Sequence, residues 1–221
     1  MKKILVTIAA FSISYGVNAA PLSAVMTFES MAITSEGVKK QTQFQEQFIR
    51  DNNVVWSARI IPASAPQHKQ LPNEHDDEHN LNFATAGKWI VRDANNTLKF
   101  RFVRVDEKKI IEPRTSDYGT LGFDGQWETA YYLLDRTALK KMTKLNKPSA
   151  EGTSWYEKTT AQDFTRILWD ERNQLPLSIE SGRTDGTLDN KITLAIVPAP
   201  KIMPWQKTSG YQTVAYEDLL D

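Results

Sequence analysis

Apolar and polar residues alternate along most of this chain, and that period of two predicts β-structure. Val25 to Thr34, Val38 to Arg50 and Val54 to Ile61 read as three strands, joined by turns at Ser35-Glu36-Gly37 and Asn52-Asn53 and closed by Pro62. Gly87 to Arg92, Leu98 to Val105 and Ile110-Ile111 continue the pattern. Ser154 to Lys158, Phe164 to Trp169, Leu177 to Ser181 and Lys191 to Val197 supply four more strands. Within Tyr118 to Trp127, Asp124-Gly125 is a hairpin signal. Helical spacing is confined to Ala138, Leu139, Met142 and Leu145, behind Asp135 or Thr137 as a cap and ahead of Asn146 and Pro148.

About ten strands joined by short turns, with one or two helices, predict a mainly β (α+β) fold. The expected architecture is a single curved antiparallel sheet, a half-barrel closed by the helix. Phe28, Phe44, Phe48, Trp56, Trp89, Phe100, Phe102, Trp127 and Trp169 fall on or beside these elements and are the candidate ligand-binding residues, read as presenting one continuous face. Aromatics also fill ordinary sheet-helix cores. An enclosed volume of roughly 300 Å³ or more would separate the two readings. From Pro198 to Asp221 the pattern stops: Pro198, Pro200 and Pro204 break any strand, while Trp205, Tyr211, Val214, Tyr216, Leu219 and Leu220 punctuate a polar tail. Such a tail docks on its own sheet by default, or else on a partner.

The N-terminus changes the picture of compartment. Lys2 and Lys3 precede an apolar run from Ile4 to Val17, and Val17, Asn18 and Ala19 are the small residues of a signal-peptidase site. Residues 1–19 are therefore expected to be a signal peptide cleaved after Ala19, leaving residues 20–221 as a single periplasmic domain. A cut after Ala20 ranks second because it would place Pro21 first. No later stretch is long and apolar enough for a membrane-spanning helix. The chain has no cysteine, which excludes disulfides, thiol chemistry and a lipid-modified N-terminal Cys. Its 27 basic and 27 acidic residues balance, and removal of Lys2 and Lys3 leaves a slight acidic surplus, unlike a nucleic-acid binder.

All three histidines, His68, His75 and His79, lie in one polar stretch, 67–80, reading QHKQLPNEHDDEHN. Three imidazoles there could hold Zn²⁺ or Cu²⁺, with Glu74, Asp76, Asp77 and Glu78 attracting a cation but also favouring protonated, non-ligating imidazole. The metalloprotease pattern His-Glu-x-x-His is absent, since the residue after His75 is Asp76. The plain alternative is a solvated acidic loop. A Ser-His-acid triad would have to recruit its base from this one stretch, an improbable arrangement, and there is neither a phosphate loop nor a dinucleotide fingerprint. Acidic pairs such as Asp117 with Asp124, or Glu157 with Asp170, are commonplace at turns. The chain is expected not to be an enzyme.

The segment Thr165 to Val197, TRILWDERNQLPLSIESGRTDGTLDNKITLAIV, carries a resemblance. A strand ending in Trp169-Asp170, a four-residue turn, Leu175-Pro176 and a further turn at Asp185-Gly186 resemble the strands near the end of the LolA-like periplasmic domain of the sigma-E regulator RseB. The resemblance implies a LolA-like fold. It also implies a binding function: LolA and LolB hold lipoprotein acyl chains in the hollow of the sheet, and the RseB domain binds a partner protein. A lipid, lipoprotein or other apolar ligand, or an envelope partner protein, is the expected ligand class. Periplasmic metal binding through His68, His75 and His79 is the alternative.

Overall fold

The computed structural model describes residues 20–62 and 83–220. Strands β1 (Leu22–Ile33), β2 (Lys39–Asp51), β3 (Val54–Arg59), β4 (Gly87–Arg92), β5 (Leu98–Arg104) and β6 (Lys109–Glu112) come first. Two short helices follow, α1 (Trp127–Tyr132) and α2 (Arg136–Leu139). The chain then forms β7 (Thr143–Leu145), β8 (Thr153–Thr159), β9 (Asp163–Asp170), β10 (Leu175–Arg183), β11 (Leu188–Val197) and β12 (Gln212–Ala215). All twelve strands belong to one open sheet, ordered β12-β6-β5-β4-β3-β2-β1-β11-β10-β9-β8-β7.

The sheet is the curved, half-open layer that the alternation predicts, with three corrections. The described residues form twelve strands where about ten are expected, because the edge strands β7 and β12 are too short to show a period. One pair is not antiparallel: β12 runs parallel to β6, which it reaches after the tail has crossed the sheet. The expected helix through Leu145 lasts one turn. Asp135 caps it, accepting from the Thr137 amide at 2.8 Å, but Thr143 to Leu145 leave the helix to pair with β8. Helical spacing there coexists with the unpaired edge of β8, and the edge wins. Asp124-Gly125 likewise leads into α1 instead of a hairpin.

The two faces of the sheet bury different residues. On the concave face, Ala24, Met26, Phe48, Val55, Ile90, Phe100, Phe102, Ile111 and Leu194 form the main core together with Tyr118 and Phe123. The convex face buries Ile49, Trp56, Val103 and Ile110. The tail covers this second patch: Met203, Trp205 and Tyr211 pack on it, after which β12 rounds the β6 edge and delivers Val214, Tyr216 and Leu219 to the concave core. Docking on its own sheet is thus what the tail does. Gly87 marks how tightly the convex patch is packed, because a Cβ there would collide with the Trp56 indole.

Tyr118 stands in for a missing strand. β6 pairs with β5 only from Phe102 onward, so the outer edge of β5 is open before that point. The Tyr118 hydroxyl accepts from the Phe100 amide at 3.1 Å and donates to the Leu98 carbonyl at 3.3 Å. Its ring packs against Phe100 and Phe123, which sets the direction of the following turns.

Removing residues 204–221 is expected to expose Trp56, lower the melting temperature and raise binding of a hydrophobic dye. Gly87→Ala should cost about 1–3 kcal/mol in denaturant unfolding, from overpacking against Trp56.

Candidate functional site

Over the concave face lies a lid made of the turns at 119–126 and helix α1. Asp124 starts the helix, accepting from the Gln126 amide at 2.9 Å and the Thr129 hydroxyl at 2.6 Å. Gly122 and Gly125 take positive φ, +80° and +71°, in the turns before it. At the other end Leu133 is left-handed, φ 61°, and terminates the helix.

Arg50, on β2, ties this lid to the sheet. Its guanidinium donates to the Tyr131 carbonyl at 3.0 Å, to the Gln174 carbonyl at 3.3 Å and to the Asn173 carbonyl. It also lies against the Tyr131 ring, 4.7 Å from the centroid. The Tyr131 carbonyl is one of those a helix C-terminus leaves unpaired, and a cation is favoured there. Burial draws the Arg50 guanidinium below its usual value, opposed by the Tyr131 and Tyr132 hydroxyls. Burial likewise raises Tyr131. A second clamp lies alongside: Arg136 forms a bidentate pair with Glu128 at 2.8 and 3.0 Å and reaches Gln174 at 2.8 Å.

The β9–β10 turn is shaped by Asp170 so that its carbonyls meet Arg50. The carboxylate accepts from the Arg172 and Asn173 amides and from the Asn173 side chain at 2.6 Å. Burial alone would push the Asp170 carboxyl up, but these hydrogen bonds outweigh it and hold the group below the ordinary Asp value.

Between lid and sheet is a hollow of about 360 Å³. Met26, Phe28, Phe48, Val55, Ile90, Ile179, Ile192 and Leu194 form its floor, with Phe123, Ala130 and Leu133 above. Glu46, Ser57, Lys88, Asp124 and Thr129 are the polar groups on its wall. Glu46, Ser57, Lys88 and Gly122 also line an adjoining void of about 460 Å³. A third and larger void, about 640 Å³, lies on the opposite face and is lined mainly by polar groups. Four of its five charges are cross-strand neighbours in the row Glu29, Lys191, Glu180, Arg166, and Arg166 in turn pairs with Glu157 at 2.6 Å. That groove offers an apolar molecule little, so the concave hollow is the candidate site.

The structure divides the nine aromatics. Phe28 and Phe48 line the hollow, and Phe102 lines the adjoining void. Phe44 stacks on Phe28 at 4.6 Å, beyond the hollow. Phe100 is core beneath it, and Trp127 lies on α1, stacked on Tyr131 at 5.0 Å. Trp169 packs with Leu139 and Ile167 in a satellite cluster beneath α2. Trp56 and Trp89 are cross-strand neighbours on the convex face, so the nine do not form one face. A one-residue difference in parity puts Trp56 opposite to Val55, which does line the hollow. Aliphatic residues make up most of the apolar lining. Met26 was legible in principle, since it is two residues from Phe28 on β1, and Ile192 and Leu194 join that face because β1 and β11 pair without a bulge.

His68, His75 and His79 lie outside the described residues. Among the described residues no group of three or more His, Asp or Glu side chains is placed to hold a metal. No helix among them is long and apolar enough to cross a membrane.

No family model and no curated protein matches the chain. Its fold is similar to several solved structures at low identity. An uncharacterized conserved protein from Thermus thermophilus is 7% identical, covering 88% of this chain and 90% of its own, with a TM-score of 0.43. A domain provisionally described as an outer membrane lipoprotein-sorting protein, from Vibrio parahaemolyticus, is 8% identical over 82% of this chain and 87% of its own, at a TM-score of 0.34. A DUF1329 family protein from Desulfovibrio piger ATCC 29098 is 9% identical over 87% and 91%, at a TM-score of 0.25.

Arg50→Met should cost about 1–3 kcal/mol, since it leaves part-buried carbonyls without a donor, and should speed hydrogen exchange of the α1 amides. Because the Asp170 carboxyl titrates lower in the folded state than in the unfolded chain, its contribution is present above the unfolded value and lost as pH falls through the folded one. Asp170→Asn is expected to cost about 1–2 kcal/mol at neutral pH, with the difference from the parent shrinking below roughly pH 4.

Proposed function

We propose that the protein is exported, cleaved after Ala19 and acts in the periplasm as a non-catalytic binding protein that holds a lipid, the acyl part of a lipoprotein or another apolar ligand between sheet and lid. The observation that supports this reading is the hollow of about 360 Å³, floored by aliphatic and aromatic side chains and left unfilled by the described residues, whereas the apolar patch on the opposite face is covered by the tail. Ligand sites are of this kind: concave, largely apolar and marked by few polar groups. Coverage of Trp56 by the tail, with Arg101 over Trp89, reduces the aromatic surface a partner protein would otherwise find on the convex face. A partner of the envelope is then read as the donor or acceptor of the ligand.

Native mass spectrometry of the gently purified, processed protein should reveal a copurifying apolar molecule. The neutral dye N-phenyl-1-naphthylamine should fluoresce on binding, and Leu194→Trp, which fills the hollow, should abolish both signals at a stability cost of about 1–3 kcal/mol. Dye binding unaltered by Leu194→Trp, or no binding by the parent, would refute the assignment.

A further inference from the structure

The charged side chains of the concave face are met in different ways. Arg50 has three carbonyls. Arg92 stacks on Trp127 at 4.4 Å and Arg59 on Phe44 at 3.4 Å. Lys88 and Glu46 are the exceptions: both are half-buried, and neither side chain has a hydrogen bond or ion pair among the described residues. Lys88 stands in a continuous cross-strand row, Ala24, Phe48, Ser57, Lys88, Phe102, Ile111, as its one charge. It lines both the hollow and the adjoining void, so its ammonium marks the junction of an apolar compartment with a polar one.

A half-buried ammonium without a partner is poorly solvated by its surroundings and gains from an incoming anion. The sign of the junction favours an anion over a cation. Lys88 and Arg59 border the adjoining void against the single carboxylate of Glu46, and Asp124 in the hollow already accepts two hydrogen bonds. The size limits the tail, because about 360 Å³ is at the small end of ligand cavities, which run to roughly 1,000 Å³. We propose that the ligand is a single-chain amphiphile with an anionic headgroup, carboxylate or phosphate, whose chain lies in the hollow and whose head pairs with Lys88 at the junction. This rests on the reading of the hollow as a ligand site. A flexible point charge with three donors suits either headgroup. Glu46 sets a limit on affinity by repelling the same anion.

The test uses the processed protein with cis-parinaric acid and its methyl ester, which share a chain and differ in charge. The acid should bind about tenfold more tightly than the ester. Lys88→Met should weaken the acid about tenfold and abolish its advantage over the ester, whereas Glu46→Gln should tighten the acid several-fold and widen that advantage. Lys88→Gln repeats the measurement if Lys88→Met fails to fold, and the acid-ester comparison needs no variant. Displacement by oleic acid against oleoyl lysophosphatidic acid then assigns carboxylate or phosphate. Equal binding of acid and ester, or displacement by zwitterionic lysophosphatidylcholine as effective as by lysophosphatidic acid, overturns the headgroup assignment while leaving the hollow as an apolar site. Failure of both parinaric probes to bind the parent overturns the site itself.

Discussion

The buried guanidinium of Arg50 pairs with no carboxylate among the described residues and is satisfied by main-chain carbonyls, one from the lid and two from the β9–β10 turn. Those groups lie 81 to 124 residues away along the chain, so a single side chain joins the first half of the sheet to the second. A charge removed from water is costly unless its donors are used, and here the donors can be used only when the lid is down and the turn is formed. Asp170 arranges the turn and Leu133 ends the helix so that these carbonyls converge. The height of the lid above the sheet, and so the existence of the hollow, follows from that convergence.

A sheet this wide presents two apolar faces and has few helices with which to cover them. The convex patch is closed by the chain itself, with Trp205 and Tyr211 laid over Trp56 and Val103 before β12 seals the β6 edge. On the concave side the lid is too short to fill the space beneath it. α1 is six residues long, and its contributions to the hollow, Ala130 and Leu133, are separated by the helix end. The unfilled volume is therefore a product of the two covers differing in reach: a tail of some length on one face, a single short helix on the other.

The same concave surface shows two treatments of a cation. Arg50 is enclosed by groups of the fold and serves it, while Lys88, in the interior of the sheet between β3 and β5, faces the void with Ser57 as its neighbour. A lysine in the middle of a mostly apolar cross-strand row weakens the core around it, and such a departure from the hydrophobic pattern is where a binding requirement is expected to show.

Strand positions, turns and the choice of a half-open sheet were written into the chain, because alternation with period two and the Asn, Gly and Pro punctuation act locally. Asp135 as a helix cap and Asp170 at the head of its turn were legible for the same reason: each bonds amides two or three residues on. What alternation alone left open is which face a given residue takes once strands from distant parts of the chain are paired. Trp56 and Trp89 share a face with Ile49, not with Phe48, and only the register of β2, β3 and β4 decides that. The parallel docking of β12, the clamp of Arg50 on carbonyls far along the chain and the void beside Lys88 belong to tertiary structure. They depend on contacts between residues remote in sequence, for which no local pattern of side chains carries a signal.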